Sequence, residues 1–452
     1  MNLKTLITYY KNPHFQSLLG NGVVSLFGII TLSLLYRFLS VHDLGIYIFF
    51  LAILGLVDTV RNGFLSISFI KFYAGTDRKQ GDETAGSAWM VGLIITFLCI
   101  LINIPTYFLS FYIENEGMGL FMKYFSIVNL VTLPSFMAGI ILQGESRFDR
   151  LLQLRLVSQI SFTATIVVLA ILNKATLMNV VLAYIITNLT SSLFSFLRGW
   201  TMISTITQAT KETALKLFHF GKYSFGTSIS ASLFQITDTF FINFFLGPTA
   251  LAIYNLGGKL LQFIEIPLLS VASSGMPALS GHYNSGRKEE MMYLMKKMAG
   301  MLSIAIMGAA AVAFLFADPL IALIGGKQYI HSEAPNLFRI FMIYAILYPI
   351  DRFFAITLDV IHLPKINFYK IIFMLLVNVI GDYLSLSIFN SVYAITMVSV
   401  LPTIVAILIT FPPLNKYHTF KFLEIYTIGY KESLSFVKGL YQSLGKRRQS
   451  NL

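Results

Sequence analysis

The sequence predicts an all-α polytopic membrane protein of about twelve transmembrane helices in two six-helix lobes, related by a pseudo-two-fold axis along the membrane normal. Three observations carry this expectation. Of the 452 residues, 56% are hydrophobic and only 12% charged, a balance that calls for lipid as solvent. Apolar runs of span length recur along the whole chain, separated by short loops of alternating charge. A segment near residue 40 also reappears near residue 247 at a constant offset.

Backbone groups in hydrocarbon must be satisfied within their own segment, so the apolar runs read as helices rather than strands. They fall at 15–38, 44–70, 87–111, 119–142, 151–172, 177–199, 223–246, 250–276, 298–317, 337–360, 366–388 and 391–411. The start, MNLKTLITYYKNPHFQ, is basic, but the apolar run after it is of span length and lacks a small-residue cleavage site. It reads as a retained first span. A fourteen-span version would have to use 415–452, where Lys421, Lys431 and Lys438 interrupt each apolar run.

The loops at 71–84, 143–150, 200–222, 281–297 and 361–370 are basic, as are both ends, whereas IENEGMG, NKAT, LGPTA and the Asn390 turn carry almost no positive charge. About 25 Lys and Arg residues gather on the first side against about five on the other (Arg37, Lys123, Lys174, Lys327 and Arg339). This bias places both termini in the cytoplasm and the chain in the cytoplasmic membrane. It also accounts for the formal net charge of +12 without nucleic acid.

The internal match sets Phe38-Leu39 and Leu44-Gly45-Ile46-Tyr47 on Phe245-Leu246 and Leu251-Ala252-Ile253-Tyr254, a shift of 207 residues. At that shift Asp58 falls on Glu265. Six spans is an even number, so the halves share one orientation. The expected organisation is an N-terminal lobe over 1–205, an interlobe linker with an interfacial helix over 206–222, a C-terminal lobe over 223–414 and a basic tail over 415–452. The tail mixes aromatic and aliphatic residues with spaced lysines, the pattern of an amphipathic helix in the inner headgroup layer.

No enzymatic constellation is present: there is no GxSxG, no P-loop and no polar domain to hold one. Cys99 is the single cysteine and the seven histidines stand apart, which excludes internal disulfides and offers no metal-ligand spacing. No cofactor is expected, though a proton or Na⁺ gradient is a natural energy source. An ionisable group at mid-membrane costs about 2.5–3.5 kcal/mol on insertion scales, so each one needs a partner, a wet cavity or a function. Asp58 and Arg61 share a helical face and can neutralise each other, or Arg61 can serve as an anion ligand held by Asp58. Lys259 and Glu265, six apart, lie on offset faces. Asp351 and Arg352 are neighbours that cannot face each other, beside a kink expected at Pro349; Arg352 is a second anion ligand or a snorkelling residue. Asp359 sits near the cytoplasmic end. Asp238, with Gln235 and Asn243 nearby, and Asp382, four residues after Asn378, either bridge helices or couple a cation to movement.

RFLSVHDLGIYIFFLAILGLVDTVRNGF and TDTFFINFFLGPTALAIYNLGGKLLQFIEIPLLSVASSGMPALSGHYNSGRKEE resemble the polysaccharide and lipid-linked oligosaccharide flippases of the multidrug/oligosaccharidyl-lipid/polysaccharide exporter superfamily. The resemblance extends to about residue 415. It implies alternating access by two lobes and a cationic cavity that passes an undecaprenyl-pyrophosphate-linked oligosaccharide between leaflets for cell-envelope polysaccharide such as O-antigen. Carried over, headgroup binding falls on Arg61, Lys259 and Arg352, with Asp58, Asp238, Glu265, Asp351 and Asp382 as charge partners or coupling sites. The implied partners are the lipid-linked oligosaccharide, membrane lipids, a polysaccharide polymerase and glycosyltransferases. Asp382 stands where the family usually carries Asn, and the two extra spans of the lipid II branch are absent. A cation-coupled multidrug exporter of the same superfamily would need an acidic cavity, which Arg61, Lys259 and Arg352 oppose. A non-transporting membrane scaffold leaves the mid-membrane charges without a purpose.

Overall fold

The computed structural model describes residues 13–449, with side chains from 24 to 439 apart from a few positions within the helices. The basic start with Lys4 and Lys11 lies outside the described residues. The described chain is helical throughout, as the apolar runs require. In order the helices are α1 (Pro13–Phe38), α2 (Val41–Tyr73), α3 (Arg78–Leu109), α4 (Glu116–Gly144), α5 (Phe148–Ile171), α6 (Leu177–Leu197) and α7 (Lys211–Phe245). There follow α8 (Gly247–Lys259), α9 (Gln262–Asn284), α10 (Lys288–Leu315), α11 (Ala317–Gly325), α12 (Ala334–Ala345), α13 (Tyr348–Val360), α14 (Pro364–Phe389), α15 (Val392–Val398), α16 (Leu401–Tyr417) and α17 (Glu424–Gln449).

Eight spans qualify by length and composition, counting α15 with α16 as one, and α12 with α13 adds a ninth bent by 41°. Pro349 sits in the first turn of α13, where its missing N–H costs nothing, so the bend falls just before it as the sequence predicts. With α1, α7 and the broken pair α8–α9, this gives the twelve-span layout of a multi-pass membrane protein. The helix expected over 211–222 is not separate, because no proline interrupts it; it forms the first turns of α7.

The chain divides into two compact units. Unit 1 runs to Ala252 and includes Ile324–Gly326; unit 2 holds Ile253–Leu323 and everything from Lys327. Unit 1 therefore reaches past residue 205 to include α7, which packs along α2. Glycines permit this approach: a Cβ at Gly45 would meet the Pro248 carbonyl, one at Gly63 the Phe225 backbone, and one at Gly221 the Phe64 carbonyl. Phe64 also stacks on Phe218 and Phe225 at 5.0 and 4.9 Å between ring centres. Thr59 and Ser232 share a hydrogen bond of 2.8 Å.

The internal repeat is visible in how helices end. Ser146 after α4 and His362 after α13 both adopt the left-handed conformation, and the next residue donates to a carbonyl five positions back (Arg147 to Leu142, Leu363 to Leu358, both 2.8 Å). Asn173 after α5 and Asn390 after α14 form a second left-handed pair.

The repeat also extends past the sixth span of each half. In unit 1 the segment after α6 straps the start of α3: the Trp89 indole donates to the Thr201 carbonyl (2.7 Å), Gly86 lies against the Thr205 carbonyl, and Glu83 accepts from Thr210 (2.5 Å) and Thr213 (2.6 Å). In unit 2 the tail helix α17 straps the start of α10. Gly300 lies against the Ile425 carbonyl and Gly429, Lys296 pairs with Glu424 at 2.8 Å, and Glu432 takes Lys297 and the Tyr293 hydroxyl. The tail is thus amphipathic as expected, but Ile425 on its apolar face is wholly buried in the core of unit 2.

Two outcomes follow. Gly300→Val forces the Ile425 backbone outward and is expected to cost about 1–3 kcal/mol, the usual range for overpacking. Gly28→Ala, with open space around it, serves as control; equal thermal midpoints in detergent would refute the strap. Lys296 and Lys421 hold the Glu424 carboxyl below the ordinary carboxylate range, and Lys297 and Tyr293 do the same for Glu432. Their contribution is present above the ordinary Glu value and is lost as pH falls through the lowered one. Hydrogen exchange across 424–434 should quicken on acidification below about pH 4, and Glu424→Gln should flatten that dependence.

Candidate functional site

On α2 the spacing of four residues puts Asp58, Asn62 and Ser66 in one row. Asn62 donates back to the Asp58 carbonyl (3.2 Å) and Ser66 to the Asn62 side-chain oxygen (3.1 Å). Arg61 lies beside this row and is only 4% exposed. Its Nη2 donates to Asp58 Oδ1 at 2.8 Å and to Thr132 Oγ1 at 3.0 Å, and its Nη1 to the Asn129 carbonyl at 3.1 Å. The guanidinium carbon stands 4.7 Å from the centre of the Phe136 ring. One buried cation therefore ties α2 to α4 through charge, hydrogen bonds and a ring face.

This arrangement forms a wall of a cavity of about 290 Å³ within unit 1. Besides the row on α2, the lining includes Thr132, Ser135 and Gln143 from α4, Arg155 and Ser158 from α5, and Ser191 from α6. Two arginines and one carboxylate line it among hydroxyls and amides, beside the apolar side chains of Phe136, Ile140, Leu151 and Leu154. Arg155 was not among the sequence-derived residues. It lies near the start of the 151–172 run, where a lone Arg reads as a margin charge, and only the packing of α5 on α4 turns it inward.

Unit 2 treats its charges differently. Asp351 accepts from Lys370 Nζ at 2.8 Å, with the lysine 7% exposed. Lys370, counted in sequence among the basic loop residues, is the partner that spacing on one helix cannot reveal. Its neighbour Arg352 is exposed and lines a groove of about 540 Å³ with Ser273, Met276, Pro277 and Ser280 of α9. Asp359 is exposed and accepts from Asn367 at 2.7 Å. Lys259 ends α8 and Glu265 lies in the first turn of α9. The break between these helices gives each charge a helix end of the sign that suits it.

Asp382 is completely buried on α14 and accepts from Asn378 Nδ2 at 3.1 Å; Ser385 donates to its carbonyl at 3.0 Å. A Cβ at Gly381 beside it would strike Val398 of α15, so the carboxylate sits where two helices come close. Asp238 lies half-buried on α7 in unit 1, and Asn243 five residues on is fully buried. The structure thus brings Asp58 and Arg61 together, joins Asp351 to Lys370, and sets Arg352 on a separate groove. Among the described residues no group of His, Cys, Asp and Glu is placed to hold a metal ion.

This fold is that of membrane transporters of the multidrug and polysaccharide exporter superfamily. An inward-facing multidrug resistance MATE transporter matches with a TM-score of 0.71 over 90% of this chain and 95% of its own, at 15% identity. The lipid II flippase MurJ in an inward closed conformation matches with 0.71 over 94% and 98%, at 15% identity. A superfamily transporter from Pyrococcus furiosus, described as having a binding pocket of reversed polarity, matches with 0.60 over 90% and 96%, at 15%. No curated protein matches by sequence. Residues 34–334 match the family model for polysaccharide biosynthesis proteins, and the chain belongs to that family.

Breaking the Asp351–Lys370 pair from the acidic side should leave a buried ammonium uncompensated, at a cost of about 3–5 kcal/mol. Asp351→Ala is therefore expected to lower the thermal midpoint much more than Asp351→Ala made in a Lys370→Met background. Equal losses in the two backgrounds would show that the pair does not matter.

Proposed function

We propose that the protein is a flippase that moves an undecaprenyl-pyrophosphate-linked oligosaccharide across the cytoplasmic membrane by alternating access, supplying cell-envelope polysaccharide assembly. Family membership gives the kind of pathway. The observation that carries the cargo class is the unit 1 cavity, where Arg61 and Arg155 join Asp58, hydroxyl and amide groups and apolar side chains in one lining. Such a lining suits a phosphorylated saccharide and opposes a cationic drug.

In this reading Arg61, Lys259 and Arg352 compensate the pyrophosphate as it leaves water, because each presents donors without needing to lose a proton. Asp58 and Asp351 hold neighbouring cations in place. Asp238, Glu265 and Asp382 are the groups through which a proton or Na⁺ gradient drives the cycle; Asp382 is wholly buried where two helices come close. Glycosyltransferases supply the cargo and a polymerase consumes it. Both termini face the cytoplasm.

Deleting the protein should trap lipid-linked oligosaccharide on the inner leaflet without changing drug susceptibility. Unchanged lipid with lost drug efflux would replace this reading by that of a multidrug exporter. Arg352→Ala should abolish complementation at normal protein level, Arg61→Ala should abolish it with a lowered thermal midpoint because the anchor of α4 is lost as well, and Asp382→Asn should remove dependence on the ion gradient. Full activity in both arginine variants would refute the binding assignment.

A further inference from the structure

We infer that the side of the tail helix α17 turned away from α10 is a docking surface for the anionic phospholipids of the inner leaflet. The inference rests on the charge-derived topology and is independent of the cargo. Depth comes first. Gly300 of α10 lies against the Ile425 carbonyl and Gly429 of α17, and Gly300 is the third residue of the apolar run 298–317. Lys296 and Lys297, just before that run, belong to the basic side that positive charge assigns to the cytoplasm. A helix that touches α10 at this point stands at the level of the inner headgroups, whatever direction it then takes.

The charges of α17 are sorted by face. Its sequence holds two carboxylates, Glu424 and Glu432. Both turn to α10, where they pair with Lys296 and Lys297. Lys431 and Lys438, seven residues apart and so on one line of the helix, are both exposed. The acids therefore face the protein and these lysines face outward, and Lys446, Arg447 and Arg448 follow in the sequence of the same helix. Each lysine close to an anionic membrane surface gives about a fivefold preference for it.

Beside the lysines runs an apolar line. Tyr430 and Leu434, one turn apart, are 58% and 43% exposed, and Leu423, just before the helix, is 70% exposed. They lie across the helix from Ile425 and Gly429, which are buried. At headgroup depth a tyrosine and leucines enter the acyl boundary, while lysine stems lie along them and send the ammonium groups to the phosphates. The headgroup contact expected of the tail thus falls on a second apolar side, because the first, marked by Ile425, is taken by the core of unit 2. An anionic lipid surface is the occupant that meets the depth, the apolar line and the outward positive charge together.

The test uses the full-length protein with Cys99→Ser, spin-labelled at Leu434→Cys or at Ser435→Cys, in nanodiscs of phosphatidylglycerol or of phosphatidylcholine. Accessibility is read by power saturation with oxygen and with a water-soluble nickel chelate. In phosphatidylglycerol the label at 434 should meet oxygen more than the chelate, and the label at 435, turned toward water, should do the reverse. Phosphatidylcholine should lower the preference at 434, and Lys431→Gln with Lys438→Gln should abolish the difference between the two lipids. Neither lysine touches α10, so the thermal midpoint of that double variant in detergent should stay unchanged. A label at 434 that meets the chelate more than oxygen in phosphatidylglycerol overturns the assignment, as does one shielded from both reagents, which would mean that protein covers this side. Immersion at 434 that ignores both lipid charge and the two lysines overturns the recognition of anionic lipid.

Discussion

The guanidinium of Arg61 is the contact on which unit 1 depends. It is buried on a helix whose other face has no room for a side chain: Gly63 and, five turns away, Gly45 turn the same side of α2 to α7 and to the start of α8, while Arg61 points the opposite way to α4. One helix is thereby fixed on both sides, by backbone proximity on one and by a paired cation on the other. The cavity is what remains between the row Asp58, Asn62 and Ser66 and the helices that Arg61 holds apart. A neutral residue at position 61 would leave α4 without its anchor and Asp58 without its counter-charge.

Unit 2 starts from a similar sequence and meets the same electrostatic demand by other means. At the 207-residue shift the equivalent of Arg61 is Leu268, so Glu265 has no partner three residues on. The span breaks instead, and Lys259 and Glu265 take helix ends. The cation–carboxylate pair reappears elsewhere, between α13 and α14, as Asp351 with Lys370. Charge placement and helix breaks differ between the halves, while the left-handed caps Ser146 and His362, Asn173 and Asn390, and the straps on α3 and α10 keep the correspondence.

Spans, kink and repeat were legible because hydrophobic length, proline and short motifs act locally. The Asp58–Arg61 pair was legible for the same reason, since three residues on one helix are neighbours whatever surrounds them. Lys370 and Arg155 were not. Both lie near helix starts, where a basic residue reads as a headgroup contact, and only packing against another helix reveals a buried role. In the tail, periodicity predicts two faces but does not say what covers the apolar one. The answer lay in Gly300 and Gly429, two small residues 129 positions apart whose meeting no local pattern encodes.

A transport site must also let its cargo go, which limits how strongly it can bind. Several desolvated arginines would hold a pyrophosphate too firmly for release, and a lining without charge would not draw it from water. The Asp58–Arg61 wall resolves this conflict in the proposed cycle. Its positive end is already compensated by Asp58, so it shapes the cavity at small electrostatic cost and its pull on an anion is moderated rather than lost. Arg352, exposed on α13, is the cation whose surroundings can change, whereas Arg61, held by three hydrogen bonds, cannot change its own without unpacking α2 from α4. The fixed and the adjustable charge are thus carried by different helices, which is the arrangement that alternating affinity requires.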